Sequence, residues 1–517
     1  MSKVVQFRLR PEELLDENNL RIVIARESSK AAGSFHYEWR KRSIDARKRD
    51  IFYNCTIEVY DNEEGVELNE PFQAIDVSSA KEIHIIGAGP AGLFAALRAL
   101  ELGLKPIVFE RGKDVRSRRR DLAVLNKISA VNPESNYCFG EGGAGTYSDG
   151  KLYTRSKKRG EVDRALRMFV HFGAEKDILV DAHPHIGTNK LPQIIVAMRE
   201  EIIRFGGEVH FDSKLTNVFI EDNKLKGIEI NGLKRITCEN LIVATGHSAR
   251  DIFELFHANG VRIEAKPFAL GVRIEHTQDL IDEIQYHGRH HDDLLPPANY
   301  ALVEQVDGRG VYSFCMCPGG IIAPCATEQN EVVTNGWSPS KRNNPYSNSG
   351  IVVSVYPSDF PNDEMNPFVC LDFQKAIEKK CWEAAGKTQK VPAQRLLDFI
   401  QDKKSVDFPR SSYQPGIVSV RMDDVLPEFI AQRLRKAFVE FGKKMHGYLT
   451  NDAVLHAPES RTSSPISIPR NNETLEHVDI QGIYPCGEGA GYAGGIISAA
   501  IDGMKCTAAI HQKISNQ

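Results

Sequence analysis

Between residues 83 and 110 the apolar positions change their spacing twice. The run Ile83–Ile86 is typical of a buried strand, and the alanine-rich segment Leu93–Leu100 is typical of a buried helix. Pro106–Phe109 is a second short apolar run. A strand, a helix and a second strand in this order predict a βαβ unit, in which the two strands are parallel neighbours in one sheet.

The turn between the first strand and the helix has the pattern of a dinucleotide-binding loop. Gly87 permits the turn out of the strand, Gly89 lets the backbone approach a pyrophosphate, and Gly92 lets the helix pack on the strand. Pro90 and Ala91 open the helix, whose N-terminus directs free N–H groups towards phosphates. We therefore expect this turn to bind a dinucleotide cofactor.

The second strand ends in an acidic residue at the spacing that such cofactors require. Glu110 lies eighteen residues beyond Gly92, close to the ~20 residues expected for the acid that binds an adenosine ribose. A carboxylate at this place accepts hydrogen bonds from a free 2′-OH group. The cofactor is therefore predicted to be FAD or NAD, not NADP.

Two later segments favour FAD. FAD is a long molecule that needs a pyrophosphate turn, an acid for the ribityl hydroxyls and a helix start beneath the flavin pyrimidine. Leu241–Gly246 is an apolar strand that stops in a small-residue turn, and a further strand ends at Gly487 and Glu488. The last helix is expected to begin at Gly495 and Ile496, where its positive end would stabilise the reduced flavin.

On these segments the chain resembles the FAD-dependent oxidoreductases of the glutathione-reductase-like superfamily and, more narrowly, an uncharacterised bacterial group of FAD-dependent dehydrogenases. The resemblance runs from about residue 80 to the C-terminus. The motifs that carry it are G-A-G-P-A-G (87–92), F-G-E-G-G-A-G-T-Y-S-D-G-K-L (139–152), H-P-H-I-G-T (183–188), A-T-G-H-S-A-R-D (244–251), C-M-C-P-G-G (315–320) and C-G-E-G-A-G-Y-A-G-G-I (486–496).

The predicted fold class is α/β with three parts. A discontinuous Rossmann-like FAD-binding domain is assigned to residues 79–265 and 450–517, and a mixed α+β substrate domain is inserted at residues 266–449. Residues 1–78 precede the glycine turn and form a small α+β module, for which a ferredoxin-like fold is predicted. Within this module residues 20–24 fit either a strand or a helix.

A glycine-rich segment and the arginines before it extend the predicted cofactor site. A glycine-rich loop brings several backbone N–H groups against a flavin or its phosphates. In flavoproteins that this chain resembles, an arginine after the ribose-binding acid often reaches the pyrophosphate. The residues predicted for these roles are Gly143, Thr146 and Ser148 in the loop and Arg111, Arg118 and Arg119 before it.

Catalytic candidates come from two further motifs. His183 and His185 share one face of an extended segment, and histidine acts as a general acid or base near neutral pH; a structural role is the alternative. Cys317 precedes a Pro-Gly-Gly turn that a flat ring can approach closely, so its thiol is a candidate proton donor or nucleophile. We name Cys317 and His185 as the catalytic candidates.

Arg273 and Arg342 lie in the predicted substrate domain, where they are candidates for binding a substrate carboxylate or phosphate. The alternative for each is an ion pair at the surface or at an interface. His247 and Arg250 follow the A-T-G turn, and the resemblance implies a place near the adenine or pyrophosphate half of FAD for this turn. Both are expected to position the site instead of taking part in chemistry.

Composition limits the remaining choices. The formal net charge of −4 does not indicate a general polyanion binder, and no apolar run approaches a membrane span. The N-terminus lacks the apolar region of a signal peptide, so a cytoplasmic location is expected. The ten cysteines form neither a disulfide framework nor a paired CxxC metal site, and no metal is predicted. The CxxxxC pair of disulfide reductases is also absent near the first helix.

The sequence thus predicts a cytoplasmic FAD-dependent oxidoreductase that transfers a hydride through a non-covalently bound FAD. Only one dinucleotide fingerprint occurs, so electrons come from a small-molecule substrate, from transiently bound NAD(P)H, or from a redox partner protein. One alternative is a flavoprotein acting on RNA through the basic runs Arg40–Arg42 and Arg47–Arg49 of its N-terminal module. The other is a non-enzymatic FAD-binding regulator.

Overall fold

The structure is a computed structural model of the full chain. It describes residues 2–31, 34–61, 72–154, 162–289, 294–363 and 365–516. Two sheets and a small N-terminal module account for most of the strands in these ranges.

The strands of the described residues are β1 (Ser2–Leu9), β2 (His36–Asp45), β3 (Phe52–Tyr60), β4 (Glu82–Ile86), β5 (Lys105–Phe109), β6 (Glu208–His210), β7 (Leu215–Glu221), β8 (Lys224–Ile230), β9 (Lys234–Thr237), β10 (Leu241–Val243), β11 (Glu264–Ala265), β12 (Phe268–Thr277), β13 (Val303–Val306), β14 (Arg309–Cys317), β15 (Ile321–Pro324), β16 (Thr334–Trp337), β17 (Tyr346–Val355), β18 (Val391–Arg395), β19 (Ile417–Ser419), β20 (Val454–Glu459), β21 (Ile466–Ser467) and β22 (Ile483–Pro485).

The helices of the same ranges are α1 (Pro11–Leu14), α2 (Glu17–Ser28), α3 (Pro90–Glu101), α4 (Val115–Ile128), α5 (Val162–His171), α6 (Leu191–Arg204), α7 (Arg250–Ala258), α8 (Gln278–Gln285), α9 (Val369–Ala384), α10 (Leu396–Ile400), α11 (Met422–Val425), α12 (Glu428–Lys444) and α13 (Ile496–Ser515). None of them combines the length and apolar character needed to cross a bilayer.

The first sheet is parallel and has the strand order β22-β10-β4-β5-β6. Numbered along the chain from β4, this is the order 3-2-1-4-5 of a doubly wound dinucleotide-binding fold. Helix α3 follows β4 through the glycine turn and packs beside α13. The strand–turn–helix–strand unit predicted from the sequence is present, and the mixed α/β class is confirmed.

The second sheet has seven strands in the order β13-β14-β17-β12-β20-β18-β19 and is antiparallel except for the β18–β19 pair. Strand β20 pairs with both β12 and β18 in this sheet. Val454–Glu459 therefore belongs to the antiparallel sheet, although the sequence predicts that the FAD-binding domain resumes at residue 450. The long-range pairing of β20 was not visible in its local apolar pattern.

The N-terminal module pairs β3 with β1 on one side and β2 on the other, both antiparallel. Residues 20–24, which the sequence left open, lie in α2, where Leu20, Val23 and Ile24 are buried at helical spacing. Asp16 caps this helix. This split β-α-β arrangement is the first half of the predicted ferredoxin-like fold, but the described residues between 2 and 81 contain no second long helix or fourth strand.

The basic runs of this module are partly neutralised by neighbouring acids. Arg40 forms an ion pair with Glu58, and Arg47 forms one with Asp45. Arg42 contacts Asp181, which lies outside the module, at 2.8 Å. Three of the six basic side chains in these two runs are thus paired with acids of the protein. This pairing favours a structural role for these three over a role in RNA binding.

Candidate active site

A cavity opens where the carboxyl ends of the parallel strands meet strands β14 and β16 of the antiparallel sheet. In doubly wound sheets this edge is where ligands bind. The residues predicted to bind the cofactor that line this cavity are Gly87, Gly89, Pro90, Ala91, Glu110, Arg111, Gly143, Ser148, Gly246, Gly487, Glu488, Gly495 and Ile496. Segments up to about 400 residues apart in the sequence thus meet at one site.

The three glycines of the turn have different physical reasons. A Cβ on Gly87 would lie 2.4 Å from the Ala244 carbonyl oxygen, and one on Gly92 would lie 1.9 Å from the Gly87 carbonyl oxygen. Gly92 therefore permits close helix packing and does not itself line the cavity. A Cβ on Gly89 would meet only the Gly143 Cα atom, at 3.8 Å. The protein's own packing does not require a glycine at Gly89, whereas a ligand in the cavity would.

Glu110 organises the turn as well as lining the cavity. Its carboxylate accepts hydrogen bonds from the backbone N–H groups of Ala88, Gly112 and Gly140, each at 2.9 Å. A carboxylate offers about four lone-pair sites, so about one remains for a ligand hydroxyl. Glu110 thus fits the ribose-binding role without leaving a buried charge unpartnered.

Arg118 and Thr146 do not face the cavity, and the structure corrects both expectations. The buried Arg118 guanidinium donates to the carbonyl oxygens of Asn136 at 2.8 Å, Glu141 at 2.8 Å and Tyr137 at 3.0 Å. The Thr146 hydroxyl donates to the Glu141 carbonyl oxygen. These two side chains bond to the backbone of the glycine-rich loop and fix its conformation. They therefore support the cavity wall without lining the cavity.

Arg119 is exposed on α4 and also lies away from the cavity wall. Arg111 is the predicted arginine that does line the cavity. Its guanidinium pairs with Glu134 at 2.5 Å and Asp251 at 2.8 Å and lies over the Phe139 ring. Its charge is therefore balanced within the protein, and its place on the wall is rigid.

Glu488 lies beside the start of the 20-residue helix α13, whose N-cap is Gly495. Gly495 has φ +84°, and a Cβ there would meet no atom within 4 Å. Burial raises the pKa of Glu488 from an ordinary 4.5 to about 7, although the charge of Lys266 opposes this shift. The carboxyl group therefore changes charge near neutral pH, next to a helix N-terminus that favours anions.

The Glu488→Gln variant should become more stable than the wild type as the pH rises from about 5 to about 8. The folded state holds the Glu488 proton up to about pH 7, whereas the unfolded chain releases it near 4.5, so the wild type loses stability over this interval. Partial exposure reduces the expected difference in unfolding free energy to about 1–2 kcal/mol. Thermal unfolding of flavin-free protein at several pH values measures it.

Glu221→Gln, at the exposed end of β7, is the matched control and should behave as the wild type across this range. A Glu488→Gln stability difference that stays constant with pH would contradict the shifted pKa.

The cysteine of the C-M-C-P-G-G motif that lines the cavity is not the one that the sequence predicts. Cys315 lines the cavity, whereas Cys317 is fully buried and does not. The Cys317 thiol donates to the Cys315 carbonyl oxygen at 3.3 Å. The expectation that Cys317 faces a bound substrate is corrected, because the strand carries an irregularity between Phe314 and Cys317 that turns the other thiol towards the cavity.

Neither histidine of the H-P-H segment lines the cavity. His183 is exposed and packs against the Tyr153 ring. His185 is half-buried, with Nε2 3.1 Å from the Ser340 carbonyl oxygen. Burial and the charge of Arg342 lower the pKa of His185. The catalytic expectation for His185 is therefore corrected, and its contacts are those of a neutral structural histidine.

Both arginines considered for substrate binding are paired with acids of the protein. Arg273 is fully buried, and its Nε donates to Glu459 at 2.7 Å. Arg342 contacts both oxygens of Asp149, at 3.2 and 2.7 Å. Each arginine therefore forms an ion pair, as the alternative interpretation predicts, but the pair is buried and does not lie on the surface. Asp149 itself lines the cavity, as does its neighbour Lys151.

A buried ion-pair network joins the A-T-G-H turn to the antiparallel part of the protein. Arg250 contacts Glu331 at 2.8 Å and Glu378 at 2.6 Å, and Arg461 contacts Glu378 at 3.1 Å. Arg461 lines the cavity together with His247, whose pKa burial lowers to about 3. His247 is therefore a neutral wall residue, as expected for a positional role.

Several residues of the cavity wall were missed by the sequence analysis. Asp149 and Lys151 lie within the predicted glycine-rich motif, so that motif was their signal. Cys315 lies in the cysteine motif but was passed over for its neighbour. Asn335 and Arg461 come from segments without a recognisable pattern, and only the tertiary fold brings them to the cavity.

The chain is similar in sequence to two family models and to a protein of another organism. Residues 267–462 match the family model described as "FAD-dependent protein, C-terminal domain-like", and residues 1–60 match a domain of unknown function. An uncharacterized protein of Clostridium beijerinckii is 41% identical over 493 residues, which cover 92% of each chain. The chain is thus a mixed α/β protein with a region similar to the C-terminal domain of FAD-dependent proteins. It belongs to the same family as the C. beijerinckii protein.

Solved structures show a more distant similarity. A flavoprotein/dehydrogenase from Cytophaga hutchinsonii is 12% identical, with 84% of this chain and 79% of that chain covered and a TM-score of 0.38. A geranylgeranyl bacteriochlorophyll reductase-like protein from Thermoplasma acidophilum is 14% identical, with 85% and 80% covered and a TM-score of 0.34. At these TM-scores neither similarity carries weight for the reaction.

Proposed function

We propose that this protein is an FAD-dependent oxidoreductase that binds FAD non-covalently in the cavity between its two sheets. The observation that carries the proposal is the convergence of two long helix N-termini, those of α3 and α13, on one cavity that also contains Glu110. Helix N-termini stabilise negative charge. A dinucleotide with a reducible ring carries negative charge at two places, its pyrophosphate and its reduced ring. The family match at residues 267–462 supports the same cofactor.

The wall residues fit the parts of FAD as follows. The open space at Gly89 and the start of α3 would hold the pyrophosphate. The remaining lone pair of the Glu110 carboxylate would accept a hydrogen bond from a ribose hydroxyl. Gly495 and Ile496, at the start of α13, would face the flavin pyrimidine. When bound, the flavin ring would accept a hydride from a reduced small molecule. The protein would position that molecule and move its protons.

The antiparallel sheet and the glycine-rich loop line the part of the cavity that is proposed to bind the substrate. Lys151, Cys315 and Asn335 line this part and offer an ammonium group, a thiol and an amide. Asp149 is held by Arg342, so it supplies a fixed negative charge next to them. These groups suit a polar substrate. NAD(P)H and a redox partner protein enter the proposal as electron donors to be tested beside metabolites.

The test is the identity and the reducibility of the bound cofactor. Purified protein should be yellow, and mass spectrometry of the released cofactor should identify FAD. An anaerobic screen of metabolites, NADH and NADPH should then find at least one donor that bleaches the flavin absorbance. FMN alone, or no flavin, would overturn the proposal. FAD that dithionite reduces but no donor reduces would favour the regulator alternative.

A further inference from the structure

The cysteine pair of β14 occupies a distorted part of the sheet. Phe314 is opposite Gly350 and Cys317 is opposite Asn348, so β14 has one more residue than β17 across this interval. Cys315 has φ +46°, in the left-handed region that a non-glycine residue rarely adopts. Such backbone strain persists where the surroundings hold it and is concentrated at functional sites. Here the distortion presents a thiol to the cavity.

The two thiols have unequal chemical character. The neighbouring Cys317 thiol is the main cause that lowers the pKa of Cys315 to about 5, and the charges of Lys151 and Arg273 act in the same direction against burial. The same coupling and burial raise the pKa of Cys317. The Cys315 sulfur on the cavity wall is thus an anion at neutral pH, and the Cys317 sulfur keeps its proton. A thiolate next to a thiol is the arrangement from which a disulfide forms.

Fixed contacts hold this arrangement. The Arg273 Nη1 group donates to the Cys315 carbonyl oxygen at 3.3 Å, and Lys151 Nζ donates to the Met316 carbonyl oxygen. Both cations therefore lie against the backbone of the pair. Arg273 is the more firmly held of the two, since it is fully buried and bonded to Glu459.

Other buried cysteines show that burial alone does not produce this state. Burial raises the pKa of Cys55 to about 11 and those of Cys238 and Cys370 to about 12. Cys381 is likewise buried with a raised pKa. These thiols pack as small apolar side chains. Cys315 differs from them in lining the cavity and in having a second thiol and two cations beside it.

The pair is also close to the start of α13. Cys315 is one of the charges that raise the pKa of Glu488, which lies next to the α13 N-terminus. That helix start is where the flavin ring is placed under the proposed function. Phe314 and Asn335 line the cavity in the same part. A thiolate on this wall therefore lies on the flavin side of the site.

We propose that Cys315 and Cys317 form a dithiol–disulfide pair that exchanges two electrons with the flavin in the same cavity, an inference that rests on the proposed function. Oxidation of the thiolate–thiol pair breaks the one S–H bond, that of Cys317, and forms one S–S bond. The two electrons and one proton released would convert FAD to its anionic reduced form, and reduced flavin would return them to the disulfide in the reverse direction. The protein would thus store a second electron pair beside the cofactor.

The proposal predicts the electron capacity of the purified protein. Anaerobic titration of air-oxidised wild type with dithionite should consume about four electrons per flavin, two for the flavin and two for the disulfide. Cys315→Ser should consume about two. Cys381→Ser replaces a buried cysteine outside the cavity and should still consume about four.

Peptide mapping gives a readout that does not depend on activity or on any variant. In oxidised wild type, the peptide that contains Cys315 and Cys317 should resist alkylation and be lighter by two hydrogens. After reduction, both thiols should be alkylated. This measurement decides the matter if Cys315→Ser does not fold.

Three results would overturn the pair. They are equal electron capacity in wild type and Cys315→Ser, free thiols in the oxidised peptide, or extra electrons that map instead to Cys486 and Cys506. These two cysteines form a buried cluster with Asp502, and Cys486 also lines the cavity. Absence of flavin would overturn the proposed function together with the electron exchange. A flavoprotein whose Cys315 and Cys317 remain thiols would overturn the pair alone.

Discussion

Gly89→Val is expected to abolish FAD binding and to leave the protein folded. The valine side chain would occupy the space against which a pyrophosphate is proposed to lie, while the protein itself brings only the Gly143 Cα atom, at 3.8 Å, within 4 Å of the added Cβ. Gly89 has φ −76°, which valine adopts without strain. We expect at least a 1,000-fold loss of FAD affinity, or about 4 kcal/mol. Flavin fluorescence titration measures the affinity, and circular dichroism reports the fold.

Two other glycines serve as controls for this variant. Gly310 lies on β14 outside the cavity, and a Cβ there has no neighbour closer than 3.7 Å, so Gly310→Val should bind FAD as the wild type does. Gly92→Ala should instead destabilise the fold, because its Cβ would lie 1.9 Å from the Gly87 carbonyl oxygen. Normal flavin occupancy in folded Gly89→Val would refute this placement of the cofactor.

What the sequence predicted well is local. The segment from β4 to β5 spans fewer than 30 residues, and its strand, turn, helix and terminal acid are each specified by neighbouring residues. The structure places Gly87, Gly89 and Glu110 on one cavity, as this pattern predicts.

What the sequence did not predict depends on contacts between distant segments. The exchange of Cys315 for Cys317 on the cavity wall follows from one extra residue in β14, and residue alternation carries no mark of such a bulge. The membership of β20 in the antiparallel sheet follows from its pairing with β12, about 180 residues earlier in the chain. A local pattern contains neither fact.

The arginine-rich helix α4 shows the same limit at the level of single side chains. Arg118 and Arg119 are adjacent and chemically identical, and either satisfied the expectation of a pyrophosphate ligand. The glycine-rich loop folds over one face of α4 and buries Arg118, leaving Arg119 exposed. Only the position of that loop distinguishes the two, so their roles became clear from the structure.

Arg118→Met should therefore be among the most destabilising substitutions in the protein, although Arg118 touches no cofactor. Removing the guanidinium leaves the carbonyl oxygens of Asn136 and Tyr137 buried without their donor, and the Glu141 carbonyl oxygen keeps only the Thr146 hydroxyl. Buried acceptors that lose a charged donor cost about 1–3 kcal/mol each, and partial relaxation brings the expected loss of unfolding free energy to about 3–5 kcal/mol. Denaturation in urea, followed by circular dichroism and by flavin release, measures the loss.

Arg119→Met is the matched control, because it removes the same group one residue further along the same helix. Its side chain is exposed, so the unfolding free energy should change by no more than about 0.5 kcal/mol. Flavin should leave Arg118→Met at a lower urea concentration than the wild type, because the glycine-rich loop contributes Gly143 and Ser148 to the cavity wall. Equal stability of the two variants would show that Arg118 does not hold the loop, and flavin loss only in Arg119→Met would restore the pyrophosphate role to that residue.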